Sequence, residues 1–326
     1  MAESLAAVVP RKTAEMIWRH FHTSKVTHSV AQPAASSNLH VQKAVSWKKI
    51  ESHGFSRIFE KNHSNTIEER LSGRQIEIKQ WTAEEFERLV LDGNPRVAVF
   101  DCDGTLWGGD AGYGFMAWSI EQGLVSRSAS VWMDTRYRGY LAGRVSEVEI
   151  CGEMVQLYAG LRDAELRSAA ARYVSEFVRP RIFAEMAQLL ARLGQAGVAL
   201  WAVSSTNKWV VAEGGRDFGI PEERVLAAEA RVVDGLITSE LVDVPTGAAK
   251  AVSLKRVGIE RPDAVFGNSV HDLAMLEIAR CAYPVNPSPA LIEAAARTGW
   301  GYFRPETAEG AEATVAGESS LYETNL

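Results

Sequence analysis

Short apolar runs recur along the chain from residue 97 onward, and each stops at a polar turn. Val97-Ala98-Val99-Phe100, Val198 to Val203 (V-A-L-W-A-V), Asp263 to Gly267 (D-A-V-F-G) and Cys281 to Val285 are the four clearest. They lack polar alternation, which suits strands covered on both faces. Between them the apolar residues recur at helical spacing. Thr82 followed by Glu85 predicts a capping box, with Phe86, Leu89 and Val90 on one stripe and Gly93 ending the helix. From Phe115 to about Arg179 the chain reads as helical. Met116, Ile120 and Leu124 form one stripe, and Val148, Cys151, Val155 and Tyr158 another, until Pro180 breaks the pattern. The G-G-D-A-G-Y-G stretch before it, residues 108–114, predicts a flexible hinge. Ile182, Met186, Leu189, Leu190 and Leu193 line one face of a further helix, which Gly197 closes.

Apolar alternation from Arg224 to Leu241 around Asp234-Gly235 predicts a hairpin. Lys250 opens a helix through Val252, Leu254 and Val257. Leu291 to Arg297 is another, and Gly299 to Phe303 an edge strand. This order gives an α/β fold, a doubly wound, mainly parallel (Rossmann-like) sheet with an inserted helical cap domain. Residues 79–109 and 180–304 form the α/β core, 110–179 the helical insertion, and 305–326 a polar tail. Residues 1–78 carry six of the seven histidines and show no sustained period, so they read as a poorly ordered extension. Their M-A-E-S-L opening lacks the basic start of a targeting peptide.

Composition narrows the partners. A net charge of −6 over 326 residues gives no reason to expect attraction to nucleic acid or a membrane surface. No run of eighteen apolar residues predicts a transmembrane helix. Cys102, Cys151 and Cys281 lie far apart without C-x-x-C pairing. That favours a reducing, cytoplasmic location over a disulfide frame or zinc site. No feature of the sequence specifies an oligomeric state.

The chemistry concentrates at the end of the first apolar run. Asp101 and Asp103, one residue apart, leave the same side of an extended backbone, and Gly104-Thr105 turns the chain away. Open α/β sheets place ligands at the carboxyl ends of their strands. Two carboxylates this close repel unless a cation or shared proton relieves them. After the second run, Ser204-Ser205-Thr206-Asn207 leads into a helix near Trp209, and free amides there suit a phosphate.

F-D-C-D-G-T-L resembles the first motif of the haloacid dehalogenase-like superfamily, the aspartate-nucleophile phosphatases. V-S-S at Ser204 is similar to the second motif, Lys250 (or Lys255, one turn later) to the third, and G-N-S-V-H-D at 267–272 to the last. There Asn268 stands where the family has its first Asp, and Asp272 is kept. The resemblance covers roughly residues 95–304 and is closest to the phosphoserine-phosphatase-like branch with a helical (C1-type) cap.

The resemblance implies a Mg²⁺-dependent phosphomonoesterase for a small phosphorylated metabolite. It assigns Asp101 as nucleophile and Asp103 as general acid and base. Gly104, Thr105, Ser204, Ser205 and Lys250 would hold phosphate, and Asp101, Asp103, Asn268 and Asp272 the metal. It also implies that cap residues choose the leaving group. Asp110 stands nine residues past the nucleophile, where phosphoserine-type members carry a glutamate. The family's cap arginine has Arg136, Arg138 and Arg144 as candidates, but comparison through V-Q-L-Y-A-G-L places Met154 there. Trp107, Tyr113, Trp118 and Trp132 suggest an aromatic lining, and His271 reads as solvent-facing. A phosphotransferase sharing the intermediate, and a weakly active or binding-only protein in which Asn268 weakens the metal site, are the alternative readings.

Overall fold

The computed structural model describes residues 78–306. The expectations for residues 1–77, and for the tail beyond 306, lie outside the described residues.

The described chain opens with β1 (Gln80–Trp81), α1 (Ala83–Asp92) and β2 (Val97–Phe100). Thr82 and Glu85 form the capping box reciprocally. The other predicted runs become β3 (Ala199–Asn207), β6 (Ala264–Gly267) and β7 (Cys281–Pro284), and the alternating stretch becomes β4 (Val225–Val233) and β5 (Leu236–Asp243). These make a six-stranded sheet of order β5-β4-β3-β2-β6-β7. It is parallel throughout except for the β4–β5 hairpin. Asp234 and Gly235 both have left-handed φ, 50° and 75°, which matches the right-handed twist of the flanking strands. From β2 the chain first builds outward through β3 to β5, then returns to β6 and β7 on the other side. The switch falls beside β2, so a ligand crevice belongs at its carboxyl end.

Five helices and two tight turns separate β2 from β3, and all but the last helix make up the insertion: α2 (Ala111–Glu121), α3 (Arg127–Leu141), α4 (Glu147–Gln156), α5 (Asp163–Tyr173), a π-turn at Val174–Val178 and a 3₁₀ turn at Arg179–Arg181. The expected glycine-rich hinge is shorter than the sequence suggests, because α2 already starts at Ala111. A Cβ on Gly112 would lie 2.6 Å from Thr206 Oγ1, and one on Gly114 would lie 2.1 Å from Tyr173 Oη. Those glycines serve close packing of α2 rather than flexibility. The loop after α4 pairs with the outer edge of β5, through Gly160 N–H to Ile237 O (2.8 Å) and Ile237 N–H to Leu161 O (2.9 Å). That contact covers a strand edge that would otherwise be open.

α6 (Ala184–Gln195) leads into β3, and α7 (Lys208–Arg216) follows it. α8 (Ala248–Arg256), α9 (Leu273–Glu277) and α10 (Pro289–Thr298) complete the chain up to β8 (Tyr302–Phe303). Strand alternation sorts the two layers. Ala98 and Phe100 pack with Phe86, Leu189, Leu190 and Leu193 of α1 and α6. Val99, Val203 and Val265 pack with Leu254, Met275 and Leu291 of α8, α9 and α10. β8 does not extend the main sheet as expected. It pairs parallel with β1 as a separate two-stranded sheet. Phe86 stacks on Phe303 at 4.4 Å, and a Cβ on Gly301 would meet the Trp81 ring at 2.7 Å. Burial of α1's aromatic side draws β8 to β1.

Candidate active site

β2 ends in a tight loop. Gly104 N–H donates to Trp107 O (2.7 Å), and the amides of Thr105 and Leu106 donate to Cys102 O (3.1 and 2.8 Å). Gly104 has φ +77°, and a Cβ there would lie 1.9 Å from Asn268 Nδ2. Only glycine therefore fits the turn, on both conformational and steric grounds. The Asn268 amide lies directly over it. Asn286 donates from Nδ2 to Gly104 O (3.4 Å), Arg304 donates to Asn286 Oδ1 (2.8 Å), and Ser288 N–H donates to Asn268 O (2.8 Å). The loop before α10 thus braces both segments.

Asp101 is 5% exposed. Its Oδ1 accepts from Lys250 Nζ (2.7 Å) and its Oδ2 from Thr105 Oγ1 (3.0 Å). The same ammonium donates to Asp272 Oδ1 (2.6 Å). Asp272 Oδ2 accepts from the amides of Asn268 and Ser269, each at 2.9 Å. Asp272 is fully buried, and both of its oxygens are engaged. It anchors Lys250 and the β6 loop, in addition to any ligand role. Lys250 is 2% exposed, whereas Lys255 is exposed. Burial would depress the Lys250 ammonium, but Asp101 and Asp272 outweigh it and hold the proton on. Burial and the charge of Asp272 push Asp101 up to about 7, against the pull of Lys250.

Asp103 Oδ1 accepts from Trp107 Nε1 (2.6 Å) and Ala111 N–H (3.0 Å), and its Oδ2 from Thr206 Oγ1 (2.6 Å). Burial, then the nearby Asp110, raise it to about 6 despite these donors. Trp107, fully buried against Phe218 and Gly214, orients Asp103 rather than lining a cavity. Its indole and the Thr206 hydroxyl were not identifiable as Asp103 partners from the sequence. A strand-end threonine and an apolar-loop tryptophan carry no local signal of that role.

The remaining sequence candidates divide. Thr105 is fully buried, and its hydroxyl orients Asp101. Ser204 is 2% exposed, accepts from Thr206 N–H (3.1 Å) and sits beside the Cys102 thiol. Ser205, half-buried, bonds the Cys151 thiol of α4, which burial pushes up to about 12. Asp110 is the N-cap of α2, accepting from Tyr113 N–H (2.9 Å). Arg136 pairs with Glu153 (2.7 Å), joining α3 to α4. Arg138 pairs with Asp134 one turn away, and Arg144 is exposed after α3. Met154 packs against the core. Asp110, Arg136, Arg138 and Met154 therefore each hold a structural position. Tyr113 stacks on Tyr137 (4.7 Å) and Trp118 on Phe115 (5.9 Å), so these rings pack within the helical layer. His271 is not simply solvent-facing, because its Nδ1 pairs with Glu147 of α4, a residue the sequence reading did not single out.

Among the described residues no group of three or more His, Cys, Asp or Glu is arranged to hold a metal. The oxygen-bearing side chains at the end of β2 include the Asp101 carboxylate and the Asn268 amide over Gly104. That set fits a hard divalent ion that keeps much of its water, as Mg²⁺ does, and does not fit a protein-enclosed transition metal.

The model of the haloacid dehalogenase-like hydrolase family matches residues 98–277 of this 326-residue chain, from β2 through α9. The chain belongs to the haloacid dehalogenase-like hydrolases. Within this hydrolase family it is similar to a probable phosphatase of Mycobacterium tuberculosis, 26% identical over 62% of this chain and 73% of the relative. It is also similar to a histidinol-phosphatase of Neisseria meningitidis, 23% identical over 63% of this chain and 96% of the relative. A solved protein of unknown function from Bordetella pertussis shares the fold, with a TM-score of 0.58 at 24% identity over 64% of this chain and 98% of that one. Among the described residues no helix is long and apolar enough to cross a membrane.

Proposed function

We propose that the protein hydrolyses the phosphomonoester of a small metabolite through an aspartyl-phosphate on Asp101. The observation that carries this reading is the placement of two unlike carboxylates on one strand end. Asp101 is fixed by Thr105 and Lys250, and Asp103 is fixed separately by Trp107, Ala111 and Thr206. Phosphatase relatives and family membership support the reaction class, and the histidinol-phosphatase relative supports a small phosphorylated alcohol.

Asp101, ionised with help from Lys250, attacks phosphorus while the alkoxide departs on the opposite side. Asp103, raised to about 6, retains enough acidity near neutral pH to give the leaving oxygen a proton, then takes one from the attacking water. Lys250 balances charge between Asp101 and Asp272, so the nucleophile keeps one geometry while charge develops beside it. The end of β3 at Ser204 and Ser205 would border the phosphoryl oxygens, because the amides of Gly104, Thr105 and Leu106 are spent within their own loop. Asp101, Asn268 and the Asp103 carbonyl would hold Mg²⁺, which supplies positive charge against the phosphate when bound.

The test is turnover of p-nitrophenyl phosphate with Mg²⁺ or with chelator, for the parent and Asp101→Asn. Parent turnover should require the ion, and the variant should lose on the order of a thousandfold or more. Equal turnover by both proteins would eliminate Asp101 as nucleophile. Product formed on an added alcohol instead of water would identify a phosphotransferase.

A further inference from the structure

We infer that Glu147, the first helical residue of α4, is a positioning residue that clamps the helical insertion onto the loops that lead into the helical turns carrying Lys250 and Asp272. Its Oε1 accepts from Thr246 Oγ1 (2.6 Å), and its Oε2 pairs with His271 Nδ1. Thr246 is 4% exposed and stands two residues before the start of α8, where its carbonyl accepts from Ala249 N–H (3.0 Å). Lys250 lies in that same first turn. His271 lies in the 3₁₀ turn Val270–Asp272, next to Asp272. One carboxylate from the insertion therefore bridges both loops on their outer side, and the Lys250–Asp272 bond joins them on the inner side.

Local helix chemistry does not account for this direction. Ser146 and Glu149 already form the capping box of α4, so Glu147 is not needed as a cap. An acid in a first turn is favourable near the helix dipole wherever it points. Here it points across to the core, and its side chain is 21% exposed. The consequence is that seating of the insertion and placement of Lys250 against Asp101 are coupled. Loosening α4 frees Thr246 and His271, and with them the two segments that hold the nucleophile's counter-charge.

The kinetic consequence rests on the phosphatase reading, while the clamp itself does not. The experiment measures amide hydrogen exchange and p-nitrophenyl phosphate kinetics on the full chain for Glu147→Ala, Glu147→Gln, Thr246→Val and His271→Ala. In Glu147→Ala, exchange should rise about tenfold together in residues 245–250 and 269–273, with β2, β3 and β6 as protected as in the parent. Its kcat should fall about tenfold with KM within about twofold, the pattern of a misplaced group rather than lost binding. Glu147→Gln, which can still accept from Thr246, should fall between parent and alanine variant. Thr246→Val and His271→Ala should raise exchange in the first turn of α4 from the opposite side. Faster exchange confined to residues 146–150, or unchanged kcat with unchanged exchange in the two loops, would overturn the clamp. If the parent shows no turnover, the phosphatase reading fails and exchange alone decides the clamp.

Discussion

Asp103 accepts three hydrogen bonds, yet burial and Asp110 still raise it to about 6. A carboxyl raised in the folded state binds protons more readily than it does unfolded. Its penalty is absent below the unfolded value near 4 and grows as pH rises through the folded one. Asn can keep the geometry, with its oxygen toward Trp107 and Ala111 and its amide toward Thr206. In chelator, Asp103→Asn should therefore be more stable than the parent at pH 8 by roughly 3 kcal/mol, and nearly equal at pH 3.5. Guanidinium unfolding at the two pH values checks this. A pH-independent difference would mean that Asp103 titrates normally. Turnover should fall by about a hundredfold or more, since acid and base are both lost. Asp101, Asp103 and Gly104 were legible from a strand, two acids and a turn. Trp107, Thr206 and Glu147 were not, because their roles arise only when distant segments meet. Thr105 and Asp110 also hold structural positions that the sequence does not signal, Thr105 on Asp101 and Asp110 at the cap of α2.

At the scale of elements, the period of the apolar residues was sufficient for every strand of the main sheet, and Asp234-Gly235 marked the hairpin. It misled where glycine has two meanings. Gly112 and Gly114 read as a hinge but lie inside α2, because a side chain there would strike Thr206 and Tyr173. Pattern along one chain does not reveal which surface a helix will approach. Gly114→Ala separates the two meanings. If the residue served flexibility, alanine would stabilise α2 by about 1 kcal/mol through helix propensity. Tyr173 is 4% exposed and packs against Phe115 and Phe177, so its ring has nowhere to move. The overpacking cost of about 1–3 kcal/mol should win. The expected outcome is a lower melting temperature than the parent, and a higher one would restore the hinge reading.

At the scale of the whole molecule, the site is assembled from parts that leave it short of positive charge. Asp101, Asp103 and Asp272 converge from β2 and β6, and among the described residues Lys250 alone is hydrogen-bonded between two of them. A phosphate dianion entering there meets more negative than positive charge. Binding of the anion and of a divalent cation must then be coupled, each raising the affinity of the other by the same factor. Titration calorimetry of inorganic phosphate should show weak or no binding in chelator and clear binding with saturating Mg²⁺. The phosphate-induced gain in Mg²⁺ affinity should match, at about ten- to a hundredfold. Asn268→Asp separates the contributions, because it adds charge beside Gly104 without disturbing Lys250. Its Mg²⁺ affinity should rise about tenfold, while its phosphate affinity in chelator should fall. Phosphate binding that ignores Mg²⁺ would show that the protein's own groups, Lys250 first among them, suffice for the anion. Unchanged Mg²⁺ affinity in the variant would place the ion away from residue 268.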